Sequence, residues 1–360
     1  MNQRYDDRYD LVVIGGGTAG LVSAAGGAAL GAKVALIERD RLGGDCLYHG
    51  CVPTKTLVKS ASVAKTINSS EEFGIKNSGA EIDFPAVMAR MRRVVERAGE
   101  ADDPARFREL GVEVLLGEDA SFVSPEEVAI GGKRLRAKSF IIATGSEASV
   151  PPVDGLSEAG YLTNIEALQL SELPASLAIL GSGPIGCEFA QIFARFGVEV
   201  TVISDTSPLP KEDPEVGRLI KAVLEADGVT VHEGFLADAV RVETGEKVMV
   251  AKNELGQEIT VRSEEILVAA GRAPVTGTLA LENAGVEVGK SGITVDEYLK
   301  TTAENIYAAG DITGVLPFTH VAEYQAKVAL RNALFPVRTK ADYSSVPWTT
   351  FTAPEVARVG

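Results

Sequence analysis

The stretch LVVIGGGTAGLVSAAGGAALGAKVALIERD, residues 11–40, carries the pattern that decides the fold. An apolar run leads into a glycine turn, a helix of small residues and a second apolar run that ends in Glu38, which predicts a βαβ unit. Gly15, Gly17 and Gly20 fit G-x-G-x-x-G. In that motif the first glycine turns the chain, the second admits a pyrophosphate and the third lets helix pack on strand. Glu38 is placed to accept hydrogen bonds from a ribose diol.

The same template recurs in residues 177–205, and its glycines are Gly181, Gly183 and Gly186. Every matched pair of positions is offset by 166 residues. A single motif of this kind is weak evidence, because a glycine turn can simply serve helix packing, but two copies in register favour two nucleotide sites. Where the first copy has Glu38, the second has Ser204.

Apolar and polar periodicity predicts the remaining elements. Residues 84–110 are predicted to be helical. Residues 112–143 and 229–269 alternate apolar and polar side chains between glycine turns, which is typical of small antiparallel meanders. A further apolar strand at 305–314 has no second strand of its own, so it is expected to return to an earlier sheet. The predicted class is α/β, with two Rossmann-like domains of three-layer β-β-α architecture and antiparallel β meanders.

Composition limits the classes of function. At 360 residues, two or more domains are expected. The formal charge of -15 repels phosphate backbones and argues against nucleic acid as a partner. No apolar run approaches the roughly 18 residues of a membrane span. The N-terminal MNQRYDDRYD leaves no room for a signal peptide, so a cytoplasmic location is expected.

The segment GGDCLYHGCVPTK, residues 43–55, holds two of the three cysteines. In a reducing compartment such a pair is more often catalytic or metal-binding than part of a disulfide framework. Residues five apart in a regular helix have Cα atoms roughly 8.5 Å apart, beyond the roughly 7 Å limit for a disulfide. If Cys46 and Cys51 pair, the segment must be irregular, which Gly50 and Pro53 favour. The helix proper is expected to begin near Cys51. A zinc half-site is the alternative, disfavoured because no second Cys or His pair lies nearby.

Together these motifs resemble the FAD-dependent pyridine nucleotide-disulfide oxidoreductases, the family of dihydrolipoamide dehydrogenase, glutathione reductase and mercuric reductase. The resemblance covers the whole chain. It rests on both glycine motifs, the second followed by Glu188, on the cysteine segment, and on ATG at 143–145, AGRAP at 270–274 and AAGD at 308–311.

The resemblance implies that the first βαβ unit binds FAD and the second binds NAD(P)H. Cys46 and Cys51 would form the redox-active disulfide, with Cys51 next to the flavin and Cys46 as the outer thiol that attacks a substrate disulfide or binds Hg(II). Lys55 would pair with Glu188 beside the flavin. Asp311 would contact the ribityl and pyrophosphate region, and a helix starting near Thr319 would stabilise negative charge on the reduced flavin. Further cofactor-binding residues are expected at Gly44, Ala120, Thr144, Gly145, Ser204, Gly271 and Arg272.

The family's domain plan assigns residues 1–150 and 275–345 to a discontinuous FAD-binding domain and residues 151–274 to an NAD(P)H-binding domain. Residues 346–360 are predicted to begin a truncated dimerisation domain. Full-length relatives with that domain are homodimers, and in many of them it contributes an acid and a base to the partner's site.

Two positions depart from the family pattern. Asp45 stands where many relatives have threonine, and a carboxylate there would disfavour the Cys46 thiolate. Ser204 tolerates the 2′-phosphate of NADPH better than a glutamate would, which favours NADPH, although no arginine follows promptly to bind the phosphate.

Three hypotheses follow for the function. The first is a flavoenzyme most like mercuric reductase, which reduces Hg(II) to Hg(0). The second is a dihydrolipoamide dehydrogenase or another small-disulfide reductase. The third is an FAD-binding fragment without turnover, motivated by the absent dimerisation domain.

Overall fold

The computed structural model describes residues 8–360, so most of the N-terminal segment considered above lies outside the described residues. Its helices are α1 (Thr18–Ala29), α2 (Gly44–Tyr48), α3 (Cys51–Asn68), α4 (Phe84–Gly99), α5 (Pro104–Glu109), α6 (Leu156–Ala159), α7 (Asn164–Ala167), α8 (Pro184–Arg195), α9 (Pro214–Ala226) and α10 (Thr319–Leu334). Short 3-10 turns cover Ser70–Phe73, Glu100–Asp102, Leu281–Ala284 and Asp311–Thr313.

The strands of the first half are β1 (Tyr9–Ile14), β2 (Val34–Glu38), β3 (Glu113–Leu116), β4 (Ala120–Ser124), β5 (Glu127–Ile130), β6 (Lys133–Ile142), β7 (Ser146–Ala148), β8 (Ser176–Leu180) and β9 (Glu199–Ser204). Those of the second half are β10 (Thr230–Glu233), β11 (Phe235–Glu243), β12 (Glu246–Asn253), β13 (Glu258–Ser263), β14 (Glu265–Val268), β15 (Arg272–Pro274), β16 (Ile306–Ala308), β17 (Pro347–Thr350) and β18 (Val356–Val359).

The first sheet places β3, β2, β1, β6 and β16 side by side in parallel. Strand β6 is long enough to belong to two layers. Its first residues, 133–136, pair with β5 in an antiparallel meander, and residues 137–142 pair with β1. The pairing of β16 with β6 confirms that the strand near residue 305 returns to an earlier sheet.

Alternation along β1 explains the three layers around this sheet. Leu11 and Val13 point into a core shared with α1 and α10. Val12 and Ile14 point to the opposite face, into a core shared with the β4–β6 meander. Successive side chains of a strand face opposite sides of its sheet, so a run of apolar residues can bury both faces at once.

The second glycine motif builds the same architecture. Strands β10, β9, β8 and β14 form a parallel sheet, and β11, β12 and β13 form an antiparallel one. Ile179 faces the core on the α8 side, whereas Ala178 and Leu180 face the core on the β11–β13 side. The predicted α/β class with two three-layer Rossmann-like units is therefore confirmed.

Several elements differ from the sequence predictions. Strands β3, β10 and β14, expected within meanders, pair in parallel with β2, β9 and β8, because alternation reports a half-buried strand but not its partner. The predicted helix 84–110 is two helices. The Asp103 carboxylate accepts a hydrogen bond from Ala105 N at 2.7 Å, and Pro104 stands at the first position of α5, so a new helix begins there.

Two small elements join these layers. Strands β7 and β15 pair antiparallel where the chain leaves and re-enters the first unit. Strands β17 and β18 form a hairpin at residues 347–359. The domain boundaries given above stay predictions. No helix within residues 8–360 combines the length and apolarity needed to cross a bilayer.

Candidate active site

One large groove of about 1750 Å³ runs between the two glycine turns. Ligand pockets for a single small molecule usually measure about 300–1,000 Å³, so this groove has room for more than one nucleotide. It is lined by every predicted site residue except Gly20 and Gly186, which lie beneath the turns.

Close backbone packing requires the glycines of the first turn. Gly15 has φ +108°, and a Cβ there would lie 2.3 Å from the Ala143 carbonyl oxygen. A Cβ on Gly20 would lie 1.7 Å from the Gly15 carbonyl oxygen. Helix α1 begins directly after Gly17 with no side-chain cap, so its first N–H groups are available to an anion.

The second turn repeats this geometry. Gly181 has φ +105°, and a Cβ on Gly186 would lie 2.1 Å from the Gly181 carbonyl oxygen. Gly183 precedes α8, which starts with Pro184 and also lacks a side-chain cap. The groove therefore receives two helix N-termini, one from each motif.

The two motifs differ at the ribose end. Glu38 accepts a hydrogen bond from Gly16 N at 2.6 Å, which holds its carboxylate against the turn. At the matching positions, the Ser182 hydroxyl lies 2.9 Å from the Ser204 hydroxyl. Ser182 was not identified from the sequence, although the 166-residue offset matches it to Gly16.

The cysteine segment breaks between two helices. Cys46 lies in α2, Gly50 adopts φ −122° and ψ −116°, and α3 begins at Cys51. The predicted irregular segment and the helix start at the second cysteine are both confirmed. Gly44 brings this segment against the first glycine turn, because a Cβ on it would lie 2.6 Å from Gly17 Cα.

Both cysteines are thiols in this structure, so their disulfide stays a prediction. The Cys46 thiol donates to Cys51, and this hydrogen bond is the main cause that lowers the pKa of Cys51 to about 6. The Thr319 hydroxyl, 3.5 Å from the Cys51 sulfur, and the charge of Lys55 lower it further, against the effect of burial. The same bond and burial raise the pKa of Cys46. The hydrogen bond between the two thiols therefore favours ionisation of Cys51 over ionisation of Cys46.

An ion pair with one buried partner, Glu188, adjoins Cys51. Lys55 Nζ lies 2.7 Å from Glu188 Oε2, and the Glu188 side chain is only 6% exposed. The Phe351 amide donates to the other Glu188 oxygen at 2.9 Å, and Lys55 Nζ lies 4.6 Å above the Phe351 ring. The sequence predicted the pair but missed Phe351, whose position depends on the docking of the C-terminal hairpin.

Asp311 lies at the end of a hydrogen-bond network. The Ser146 hydroxyl donates to Asp311 at 2.7 Å, and burial raises the pKa of this carboxyl. Arg272 Nε donates to the Ser146 hydroxyl at 2.8 Å. The guanidinium also lies 3.0 Å from the Asp45 carboxylate. Arg272, expected to bind cofactor, thus contacts two protein side chains, and Ser146 was missed by the sequence.

The remaining predicted residues shape the groove wall. Thr144 donates its hydroxyl to the Val275 carbonyl at 2.8 Å. Gly145 and Gly271 have φ values of +71° and +142° at the points where the chain leaves β6 and β14. Ala120, almost fully buried in β4, lies along the wall of the groove.

The third cysteine is fully buried. Cys187 is 0% exposed and its sulfur lies 3.1 Å from the Ser182 carbonyl oxygen. Burial raises the pKa of its thiol to about 12. Within residues 8–360, no group of three or more His, Cys, Asp or Glu side chains is arranged to hold a metal ion.

A family profile described as pyridine nucleotide-disulphide oxidoreductase matches residues 9–326. The chain belongs to this family. It is 37% identical over its whole length to a mercuric reductase of Bacillus cereus, of which it spans 57%. It is also 37% identical to a dihydrolipoyl dehydrogenase of Bacillus subtilis (strain 168), with 97% of this chain and 77% of that protein covered.

Solved structures agree with the sequence relatives. The chain is similar to the HOCl-induced flavoprotein disulfide reductase RclA from Escherichia coli in its Cu(II) complex, at 31% identity and a TM-score of 0.86. The similarity covers all of this chain and 78% of RclA. The chain spans less than two thirds of the mercuric reductases of Bacillus cereus and Staphylococcus aureus, at 57% and 65%.

Proposed function

We propose that the protein is an NAD(P)H-dependent FAD disulfide oxidoreductase that passes reducing equivalents through the flavin to a Cys46–Cys51 disulfide and on to a small oxidised substrate. The observation that carries this proposal is the thiol pair itself. Cys51, with its pKa lowered to about 6, lies at a helix N-terminus in the same groove as two dinucleotide turns and beside the Lys55–Glu188 pair.

The groove residues fit FAD. At the first turn, positions where a Cβ would collide are glycine, and α1 has no side-chain cap, so a pyrophosphate could approach the backbone there. Gly17, Glu38, Thr144, Gly145 and Asp311 would hold the cofactor. When bound, FAD supplies hydride acceptance from a nicotinamide and two-electron exchange with a dithiol.

The protein's own groups divide the thiol chemistry. Cys51 holds negative charge, stabilised by the Cys46 hydrogen bond and the α3 N-terminus. Cys46, whose pKa is raised, keeps its proton in the resting dithiol and releases it when its sulfur attacks a disulfide or binds Hg(II). Lys55 presents a cation that Glu188 and Phe351 hold in place.

For the substrate, we propose Hg(II) first. Two adjacent thiols are soft ligands suited to a soft metal ion. Several similar proteins, each 36–37% identical, are named mercuric reductase. The balanced reaction takes one hydride from NADPH and yields Hg(0), NADP⁺ and one proton.

The test is Hg(II)-dependent NADPH oxidation by a full-length protein that carries these 360 residues, beside a Cys46→Ser variant. We expect turnover in the parent and its loss in the variant. No Hg(II)-dependent oxidation in the full-length parent would remove this substrate.

The second candidate is a dihydrolipoamide dehydrogenase or another small-disulfide reductase. It is supported by the similarity to dihydrolipoyl dehydrogenases, at 37% identity. Turnover of lipoamide or glutathione disulfide by the full-length protein would establish it, and failure with every such disulfide would remove it. The third hypothesis is an FAD-binding fragment without turnover. Repeated turnover of any substrate by these 360 residues alone would refute it.

For the nucleotide, we propose NADPH over NADH. Ser204 carries no charge to repel a 2′-phosphate, and Lys211 lines the same groove with an ammonium that makes no ion pair among the described residues. The exposed Asp205 opposes this preference. Comparing kcat/KM for NADPH and NADH tests it, and a higher value for NADH would overturn it.

Two further proposals concern the cellular form. The cytoplasm is supported by sparing cysteine use, with three cysteines in 360 residues, and localisation of a tagged full-length protein tests it. A homodimer of the full-length form is proposed from the family, and its solution mass tests it.

A further inference from the structure

Asp45 lies inside the redox segment, where its carboxylate borders Gly50. It is the residue before Cys46 in α2. A Cβ built on Gly50 would lie 3.4 Å from Asp45 Oδ2 and 3.3 Å from Cys46 Cα. The carboxylate therefore borders the loop that connects the two cysteines, where an unbalanced negative charge would oppose ionisation of a thiol.

Arg272 supplies the balancing charge from 227 residues away. Its guanidinium lies 3.0 Å from Asp45 Oδ2 and its side chain is 17% exposed. Two hydrogen bonds hold it in place, from Nε to the Ser146 hydroxyl at 2.8 Å and from the terminal nitrogen to the Ser146 carbonyl at 2.7 Å. His49 is the other basic group on Asp45, 3.9 Å from its second oxygen.

The contacts also connect the redox segment to the flavin side of the groove. Ser146 accepts from Arg272 and donates to Asp311, so one chain of polar contacts runs from Asp45 to Asp311. Arg272 and Ser146 lie on the paired strands β15 and β7. A guanidinium held by a strand pair is a rigid anchor for a carboxylate on a short helix.

We propose that the Asp45–Arg272 pair is a positioning and charge-balancing device that sets the reactivity of the outer thiol, Cys46. The proposal rests on the function proposed above. With both partners present, Cys46 experiences a near-neutral pair. Removal of Arg272 leaves an uncompensated carboxylate, and removal of the Asp45 charge leaves an uncompensated guanidinium, so the two changes act on the Cys46 thiolate with opposite signs.

The experiment measures the rate of Cys46 alkylation by iodoacetamide at neutral pH in the reduced, FAD-loaded protein, with Cys46 and Cys51 peptides quantified separately by mass spectrometry. We expect Asp45→Asn to react about threefold faster and Arg272→Gln about threefold slower, as expected for one partly screened charge. The double variant should return close to the parent. Arg134→Gln, which breaks an exposed pair with Glu127, is the matched control and should equal the parent.

A purely structural role would move both single variants in the same direction, because either change would loosen the loop, and that result would overturn the proposal. Equal rates in all variants would overturn it too. If Arg272→Gln fails to fold, the test uses Arg272→Lys and Asp45→Asn instead. We then expect Cys46 to be alkylated at the parent rate in Arg272→Lys and faster than in the parent in Asp45→Asn. Alkylation needs no substrate turnover, so failure of the proposed function would leave this readout intact.

Discussion

The two glycine turns have nearly the same backbone conformation, but the side chains at one end of the turn differ between them. Gly15 and Gly181 have φ values of +108° and +105°, and the third glycine of each motif packs against its first glycine's carbonyl. At the ribose end, Gly16 with Glu38 is replaced by Ser182 with Ser204. The backbone of the turn is thus repeated, whereas the pair of side chains at one end differs, and we propose that this pair selects the dinucleotide.

These side chains are coupled by sterics. A Cβ on Gly16 would lie 2.7 Å from Leu42 Cδ2 and 3.0 Å from both Cβ and Cγ of Glu38, so a side chain at position 16 would displace Leu42 or Glu38. Serine at 182 is compatible with the short Ser204. A second difference lies in the helix that follows each turn. At matching positions, the first copy has Val22 in α1 and the second has Glu188, the partner of Lys55, in α8.

The largest expected effect comes from filling the glycine packing of either turn. Gly20→Ala places a methyl group 1.7 Å from a carbonyl oxygen, so we expect FAD affinity to fall at least about 100-fold and stability to fall by about 3 kcal/mol. Gly186→Ala should retain FAD and lose nucleotide binding. Flavin fluorescence and NADPH titration separate the two. Gly277→Ala, with open space at its Cβ, is the control, and an equal loss there would contradict the steric account.

The next largest effect is expected from substitution of Glu188, which has no counterpart in the first copy. Glu188→Val makes position 188 match Val22 and leaves Lys55 and the Phe351 amide without their acceptor. We expect flavin reduction by NADPH to slow at least about tenfold and stability to fall by about 1–3 kcal/mol, discounted for the partial exposure of Lys55. Stopped-flow absorbance and urea unfolding measure these.

A matched control is Glu323→Val, which breaks an exposed i,i+4 pair with Lys327. It should change stability by only about 0.5 kcal/mol and leave flavin reduction unaltered. If both valine variants behaved alike, the ion pair of the second copy would have no special role.

A moderate effect is expected from exchanging the ribose end. The double variant Ser182→Gly/Ser204→Glu reproduces the first copy, and its carboxylate should repel a 2′-phosphate. We expect the kcat/KM ratio of NADPH to NADH to fall about tenfold, equivalent to about 1.4 kcal/mol. Ser204→Glu alone should bind both nucleotides poorly because Ser182 obstructs the carboxylate. An unchanged ratio in the double variant would show that these two positions do not control preference.

The smallest expected effect is on the pKa of Cys51, whose sulfur lies at the N-terminus of a third helix, α3. The reduced protein should show a thiolate titrating with a pKa of about 6 by ultraviolet absorbance. Cys46→Ala removes the main hydrogen bond and should raise the pKa of Cys51, whereas Cys46→Ser keeps a donor and should raise it less. If the titration midpoint of Cys51 were the same in the parent and in both Cys46 variants, the hydrogen bond from Cys46 would not be the cause of the lowered pKa.

The sign for stability follows from the same pKa. Because the folded pKa of Cys51 is lowered, its thiolate contributes stability that is fully present above the ordinary thiol pKa of about 8.5. This contribution is lost as the pH falls through about 6. Urea unfolding of the reduced protein across this range should show the loss, and Cys51→Ser should not.

Local patterns in the sequence predicted much of this site because each was a short-range constraint. The glycine turns, the start of α10 at Thr319 and the start of α3 at Cys51 depend on neighbouring residues alone. The Asp45–Arg272 and Phe351–Glu188 contacts depend on the pairing of distant strands and on hairpin docking, which periodicity does not encode. For the same reason the sequence pattern predicts the wrong partners for β3, β10 and β14.

The central claim is that one groove passes electrons from a nucleotide to the cysteine pair, and an anaerobic titration tests it most directly. The purified, FAD-loaded chain is titrated with NADPH and then NADH while the visible spectrum is recorded and free thiols are counted, beside Cys51→Ser. We predict a long-wavelength thiolate–flavin band and two new thiols in the parent, and neither in the variant. Bleaching of the flavin with no new thiols, or no bleaching at all, would contradict the account.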